Sequence, residues 1–507
     1  MKAHCLHVWT SADCPWSTWL DEAASRRFCL LASAAIVCCS YALPLNAGNC
    51  APDPVTPEFV CSGPAVAFES GVNATFNTNT AIVLLDGFGI TPTRQLISGH
   101  FSKPGALAFT LGSNTNVTLR DTPSVQVGRG VTNGGLQNDA ISGLTFVSVN
   151  ARNTLSLDLS GQYLALRGTG VGITGRAQRV DIDIRSGAVI QGRASTDEDF
   201  ATSSIFANQF TGDVEIAVAP GATVNVADDS PGRSNGIDWA SNGTTVIDNA
   251  GEIKGHWAVR LEGSGDRTFT NRSAGIVTAT AFGVWMRDLS NASEQRSYEF
   301  TNYGTINSNN TGAFFNLRPR NGSLYLTNSG NISGAIKGIN LSYAESATDG
   351  EATAAFNNSG TVTGGGLGVE FRTGAQTTAT LTNSGSITSD GSGQVDPRDP
   401  RSRFNGSGMV ISNNGGEVTF SQTKGVISGA FHGLVVDADR ASNVDGGVVN
   451  VDVQGGQITG GNAGAAGDGI RLESDGGVPD SFAVSVGSGA TITGGTSAPR
   501  IDRDPNT

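Results

Sequence analysis

Apolar and polar residues alternate with period two along most of the chain from about Phe68 to Thr493, and no stretch beyond residue 47 carries a convincing 3.6-residue apolar period. Such alternation predicts half-buried strands, and the β-branched and aromatic residues in the apolar positions suit a pleated surface. The strands come in a fixed unit. One copy reads Phe300-Thr301-Asn302-Tyr303-Gly304-Thr305-Ile306, and others read Leu326-Thr327-Asn328-Ser329-Gly330-Asn331-Ile332 and Leu381-Thr382-Asn383-Ser384-Gly385-Ser386-Ile387. A second piece follows each, with the grammar Gly, apolar, any residue, apolar: Gly283-Val284-Trp285-Met286, Gly338-Ile339-Asn340-Leu341 and Gly368-Val369-Glu370-Phe371. A unit recurring on this scale predicts a stacked repeat architecture.

The central glycines fall at 251, 275, 304, 330, 360, 385, 425, 456 and 489, with spacings from 24 (Gly251 to Gly275) to 40 (Gly385 to Gly425). Strands that keep their grammar while the intervals change suit a solenoid whose loops vary. The predicted fold is all-β, a right-handed parallel β-helix of about fifteen coils, a rod of about 70 Å at one strand spacing per coil. Val284, Met286, Ile339, Leu341, Val369 and Phe371 are expected inside it. Asn249, Asn271, Asn302, Asn328, Asn358 and Asn383 would fall at one corner of successive coils. Each amide can both donate and accept, so the six can form a ladder from coil to coil. Separate hairpin turns would also place Asn and Gly, but would not need Asn at one constant offset.

Composition narrows the setting. Charged residues are only 15% of the chain, so Thr, Ser and Asn dominate its polar chemistry, as on exported β-rich surfaces. The net charge of −13 argues against nucleic acid or an anionic membrane as partner, since both need a basic face. Residues 1–47 read as a leader and secretory signal: Arg26-Arg27 precede an apolar core from Phe28 to Cys39, with candidate cleavage sites at Ser40-Tyr41-Ala42 and Leu45-Asn46-Ala47. That core is too short to span a bilayer. Cleavage would leave only Cys50 and Cys61, which in an exported chain suggest one small disulfide loop capping the first coil. The expected organisation is therefore leader 1–47, looped cap 48–64, β-helix 65–495 and a tail or truncated continuation 496–507.

The Asn-Ser-Gly-x-Ile/Val-x-Gly coils, the export signal and the short Cys50–Cys61 loop ending in Cys-Ser-Gly together resemble the passenger region of a Gram-negative autotransporter, over about residues 48–495. The resemblance implies a right-handed parallel β-helix on the cell surface, at the outer membrane or outside the cell. It also implies an outer-membrane β-barrel translocator as partner, whose strands this chain does not contain. It implies no particular activity, because passengers share a fold and differ in function. Adhesion to host or matrix glycans or proteins is the expected role; a β-helical polysaccharide lyase or hydrolase, and a truncated passenger without activity, are the alternatives.

Candidate chemistry is sparse. β-helical polysaccharide enzymes carry acid–base clusters on an outer sheet face, but the outward column Arg260, Trp285, Asn340, Glu370, Val410, Val435 and Arg471 is mixed and reads as generic surface. The alternating pairs Asp181/Asp183 and Asp437/Asp439 read as solvent-facing positions rather than as metal or acid–base sites. No catalytic residue, cofactor or metal site is expected: five His, two of them in the leader, leave little for zinc or a triad. Charge gathers in the loops 287–299, 342–355 and 389–406, expected to emerge on one side of consecutive coils. In the longest, Asp396, Arg398, Asp399, Arg401 and Arg403 form the candidate binding loop.

Overall fold

The computed structural model describes residues 49–63, 66–68, 72–92, 105–127, 142–165, 168–193, 203–227, 234–288, 295–317, 322–343, 352–374, 376–393, 400–438, 447–461, 466–474 and 481–495. The leader, and so the proposed signal, lies outside them.

Among the described residues, every coil but the fifteenth contributes one strand to each of three parallel sheets, and the fifteenth contributes to two. The first sheet stacks fifteen strands, from Glu58–Ser62 to the start of Ser481–Thr493. The second stacks fifteen from Val66–Phe68 to the end of that same last strand. The third stacks fourteen, from Val72–Phe76 to Ile470–Ser474. Several strands, such as Glu252–Gly263 and Ile276–Asp288, run through a corner and serve two sheets. The fold is a parallel β-helix, and coils are numbered here from the strand Glu58–Ser62. Among the described residues the one helical element is the 3-10 turn Pro400–Phe404.

Alternation sets the core. Val284, Met286, Ile339, Leu341, Val369 and Phe371 are all buried and belong to one continuous apolar cluster running the length of the rod. Aromatic rings stack within it from coil to coil, Phe76 on Phe109 at 5.6 Å, Phe109 on Phe146 at 5.4 Å and Phe269 on Phe300 at 5.8 Å.

The corner between first and second sheets is built from Asn and Gly together. Each Asn amide nitrogen donates to the side-chain oxygen of the next coil's Asn, 249 to 271, 271 to 302, 302 to 328, 328 to 358 and 358 to 383, every bond 2.8 Å. Asn383 donates to Gln422 Oε1 at 2.7 Å, so Gln422 is a seventh rung. Val218 and Val453 occupy the register positions before and after, and the ladder stops there. The glycines beside it are required by space rather than by backbone angle. Gly330, Gly360 and Gly385 have no positive φ, yet a Cβ on each would collide with the carbonyl oxygen of Gly304, Gly330 and Gly360 respectively. The column closes one place later than expected from Gly489: Gly456 faces Ala490, and Gly489 pairs with Gly455.

The two ends differ. At the start, Asn49–Pro52 pairs antiparallel with Glu58–Ser62, placing Cys50 opposite Cys61, and the two are disulfide-bonded. Reducing that bond is expected to speed amide exchange in residues 49–62 and coil 1 while leaving coils 3–13 unchanged, because each coil touches only its neighbours. Exchange lost along the whole rod would overturn this. At the other end, Val484 and Val486 continue the inner columns of Val451 and Val453 but are 43% and 54% exposed.

Candidate functional site

The outward column of the third sheet carries the chemistry. From coil 6 onward it reads Asp238, Arg260, Trp285, Phe314, Asn340, Glu370, Val410, Val435 and Arg471, one residue per coil in direct register. Asp238 and Phe314 escape the sequence reading. Their coils keep the same grammar, Gly236-Ile237-Asp238-Trp239 and Gly312-Ala313-Phe314-Phe315, but the latter's unbroken apolar run hides the alternation. The column is not generic surface: it divides into two built regions.

The first spans coils 6–9. Arg260 donates through Nη1 to Asp238 Oδ2 at 3.3 Å and through Nη2 to Glu262 Oε2 at 2.7 Å, so one guanidinium joins carboxylates from adjacent coils. Asn235 donates a further bond of 2.8 Å to Asp238 Oδ2, and Arg287 Nη1 stands 3.9 Å from Glu262 Oε1. Burial raises the pKa of Asp238 even though Arg260 and Asn235 oppose it. Around this network lie four half-buried rings. Trp257 and Trp285 meet edge to face at 4.4 Å, Trp285 and Phe314 at 5.6 Å, and Phe282 sits 5.2 Å from Trp285 and 5.4 Å from Phe314. The Arg260 guanidinium lies over Trp257 at 4.7 Å and 5.7 Å from the centroid of Trp285, within cation–π range of both. The expectation that no compact acid–base cluster exists on neighbouring coils is overturned here. The register makes the cluster: it brings position 238, the pair 260 and 262, and position 287 together although they lie on three successive coils.

The second region spans coils 10–14, where the column is covered. Glu370, Val410 and Val435 are fully buried. The cover is the chain before Ser407: Phe404 packs with Leu367, Val410 and Val435 in a small apolar cluster outside the main core. Beneath it, Lys337 Nζ bonds Glu370 Oε2 at 2.5 Å, with Arg372 Nε 3.5 Å from the other oxygen. Arg403 donates to Asp437 Oδ1 at 3.0 Å and approaches Glu473 at 3.6 Å. His432 lies against Asp468 and Arg471, and burial, aided by the Arg471 charge, lowers its pKa.

These contacts revise the loop expectations. The excursion 389–406 leaves from the corner between second and third sheets, after Ser386–Ser389 and before Ser407–Asn413. The segments 287–299 and 342–355 join the third sheet to the first, so the three do not share a side. Sequence spacing reveals that a loop is long, not which corner it leaves. Of the candidate binding loop, Asp396, Arg398 and Asp399 lie outside the described residues, Arg401 belongs to the 3-10 turn, and Arg403 is turned onto the sheet. Asp437 is likewise buried rather than solvent-facing, because Phe404 and Arg403 close over its strand; Asp439 lies outside the described residues. Asp181 and Asp183 do face solvent, tied to Arg179 and Arg185 at 2.7 and 3.5 Å. Among the described residues no group of three or more His, Cys, Asp and Glu is placed to hold a metal.

No protein-family model, curated protein or solved structure matches the chain.

Proposed function

We propose that this is an exported, surface-displayed β-helix that attaches to a host or matrix surface through the coil 6–9 patch of its third sheet, and that it does not turn over a substrate. The carrying observation is how the patch is exposed. Asp238 and Glu262 are 4% and 6% exposed and both committed to Arg260, whereas Arg287 and the four rings retain access to solvent. Carboxylates spent on holding a guanidinium support a rigid recognition surface better than general acid–base work, which needs a carboxyl within reach of substrate. Passage through an outer-membrane β-barrel translocator belongs to the same reading.

A polysaccharide-cleaving enzyme is the second reading, favoured by the raised pKa of Asp238 beside Glu262. Attachment of the purified full chain to intact cells and to extracellular matrix separates the readings. The expected result is saturable attachment that falls about tenfold or more in Trp285→Ala, as for a central aromatic anchor, with no soluble product from neutral or acidic polysaccharides. Product release abolished by Glu262→Gln would favour the enzyme; attachment to nothing tested would favour an inactive passenger.

A further inference from the structure

Resting on that attachment reading, we infer that the coil 6–9 patch is a saccharide platform, and that it takes a neutral glycan chain lying across coils 7–9. Three properties point to this chemistry. First, ring-bearing residues Trp257, Phe282, Trp285 and Phe314 occupy three successive coils of one sheet face, so the rings form a strip along the rod rather than an isolated anchor. The C–H faces of pyranose rings stack on such surfaces, because aromatic faces carry partial negative charge.

Second, three N–H groups without hydrogen bonds sit among the rings: Nε1 of Trp257, Nε1 of Trp285 and Nε of Arg260. Sugar hydroxyls accept from such donors. A slight withdrawal of the rings on binding would let them do so, whereas a purely apolar partner would leave the donors unpaired, which is unfavourable.

Third, the patch is charge-balanced. Asp238 and Glu262 offset Arg260 and Arg287, while the chain as a whole carries −13. The balance offers a polyanion no net attraction, and the surrounding field repels it. Neighbours along the strip include Asn316, Asn340 and Ser342, uncharged groups suited to hydroxyls.

The protein carries its own reporter. Of its six Trp, three lie in the leader, and of Trp239, Trp257 and Trp285 the last two are in the patch. The full chain is titrated with hexasaccharides of β-linked glucose, N-acetylglucosamine and mannose, and with a hexauronate, following tryptophan fluorescence and heat. Saturable binding of at least one neutral probe is expected, weakened at least tenfold by Trp285→Ala and by Phe314→Leu. The hexauronate should bind at least tenfold more weakly. Melting curves check that each variant is folded, and Phe314→Leu preserves volume should Trp285→Ala fail to fold. Equal binding of the hexauronate would overturn the inference, as would unchanged affinity in both folded variants. So would the absence of binding by every neutral probe while attachment to surfaces survives enzymatic deglycosylation. That last outcome would leave attachment standing with a protein partner. Loss of both attachment and saccharide binding would remove the two readings together.

Discussion

Asn328→Ala is expected to lower stability by about 1–3 kcal/mol, because it leaves one buried acceptor unanswered and weakens a second group. Asn358 Oδ1 loses its donor, and Asn302 Nδ2 loses its 2.8 Å acceptor while keeping the carbonyls of Gly304 at 3.3 Å and Asn331 at 3.4 Å; both asparagines are buried. The same change at Asn249 takes the donor from Asn271 Oδ1 and the acceptor from Gly251 N, and should cost about as much. Gln422→Met should be close to neutral. Gln422 Nε2 already has no partner, so losing Oε1 strands Asn383 but relieves an existing orphan. Urea melts of the three variants give the ordering. Unchanged stability in Asn328→Ala would mean that the amides act as separate turns rather than as a chain of bonds.

Glu370→Ala is expected to cost about 3–5 kcal/mol, the range for removing one member of a buried ion pair. Lys337 is 7% exposed and would lose the carboxylate it bonds, near the Phe404 cover. Replacing both residues, Lys337→Met with Glu370→Leu, should recover most of the loss, since two desolvated charges then disappear together. Local exchange in coils 10–13, read beside the melts, shows whether the cover opens. If the double variant is as unstable as the single, packing at these positions matters more than charge.

The inner half of this protein was open to sequence reading and the outer half was not, for a physical reason. Core residues and the Asn corner repeat at constant offsets within each coil, so a single chain displays them many times. The outer face depends on which coils are neighbours and on what folds across them. Trp285 looked like a stray surface aromatic until Trp257, Phe282 and Phe314 fell beside it in register. Val410 and Val435 read as indifferent surface, yet two valines in an outward column were the available sign that something covers them. Phe404 supplies that cover from a loop whose length was legible and whose corner was not.

Stacked coils hold only their neighbours, so a pull along the rod is resisted by one interface at a time, as in a zipper. The amide ladder adds one side-chain bond to every interface from coil 7 to coil 13. The rings at coils 7–9 sit on that reinforced stretch. A molecule gripping a surface there could surrender coils outside the ladder to tension in steps, shedding load while the grip itself stays folded.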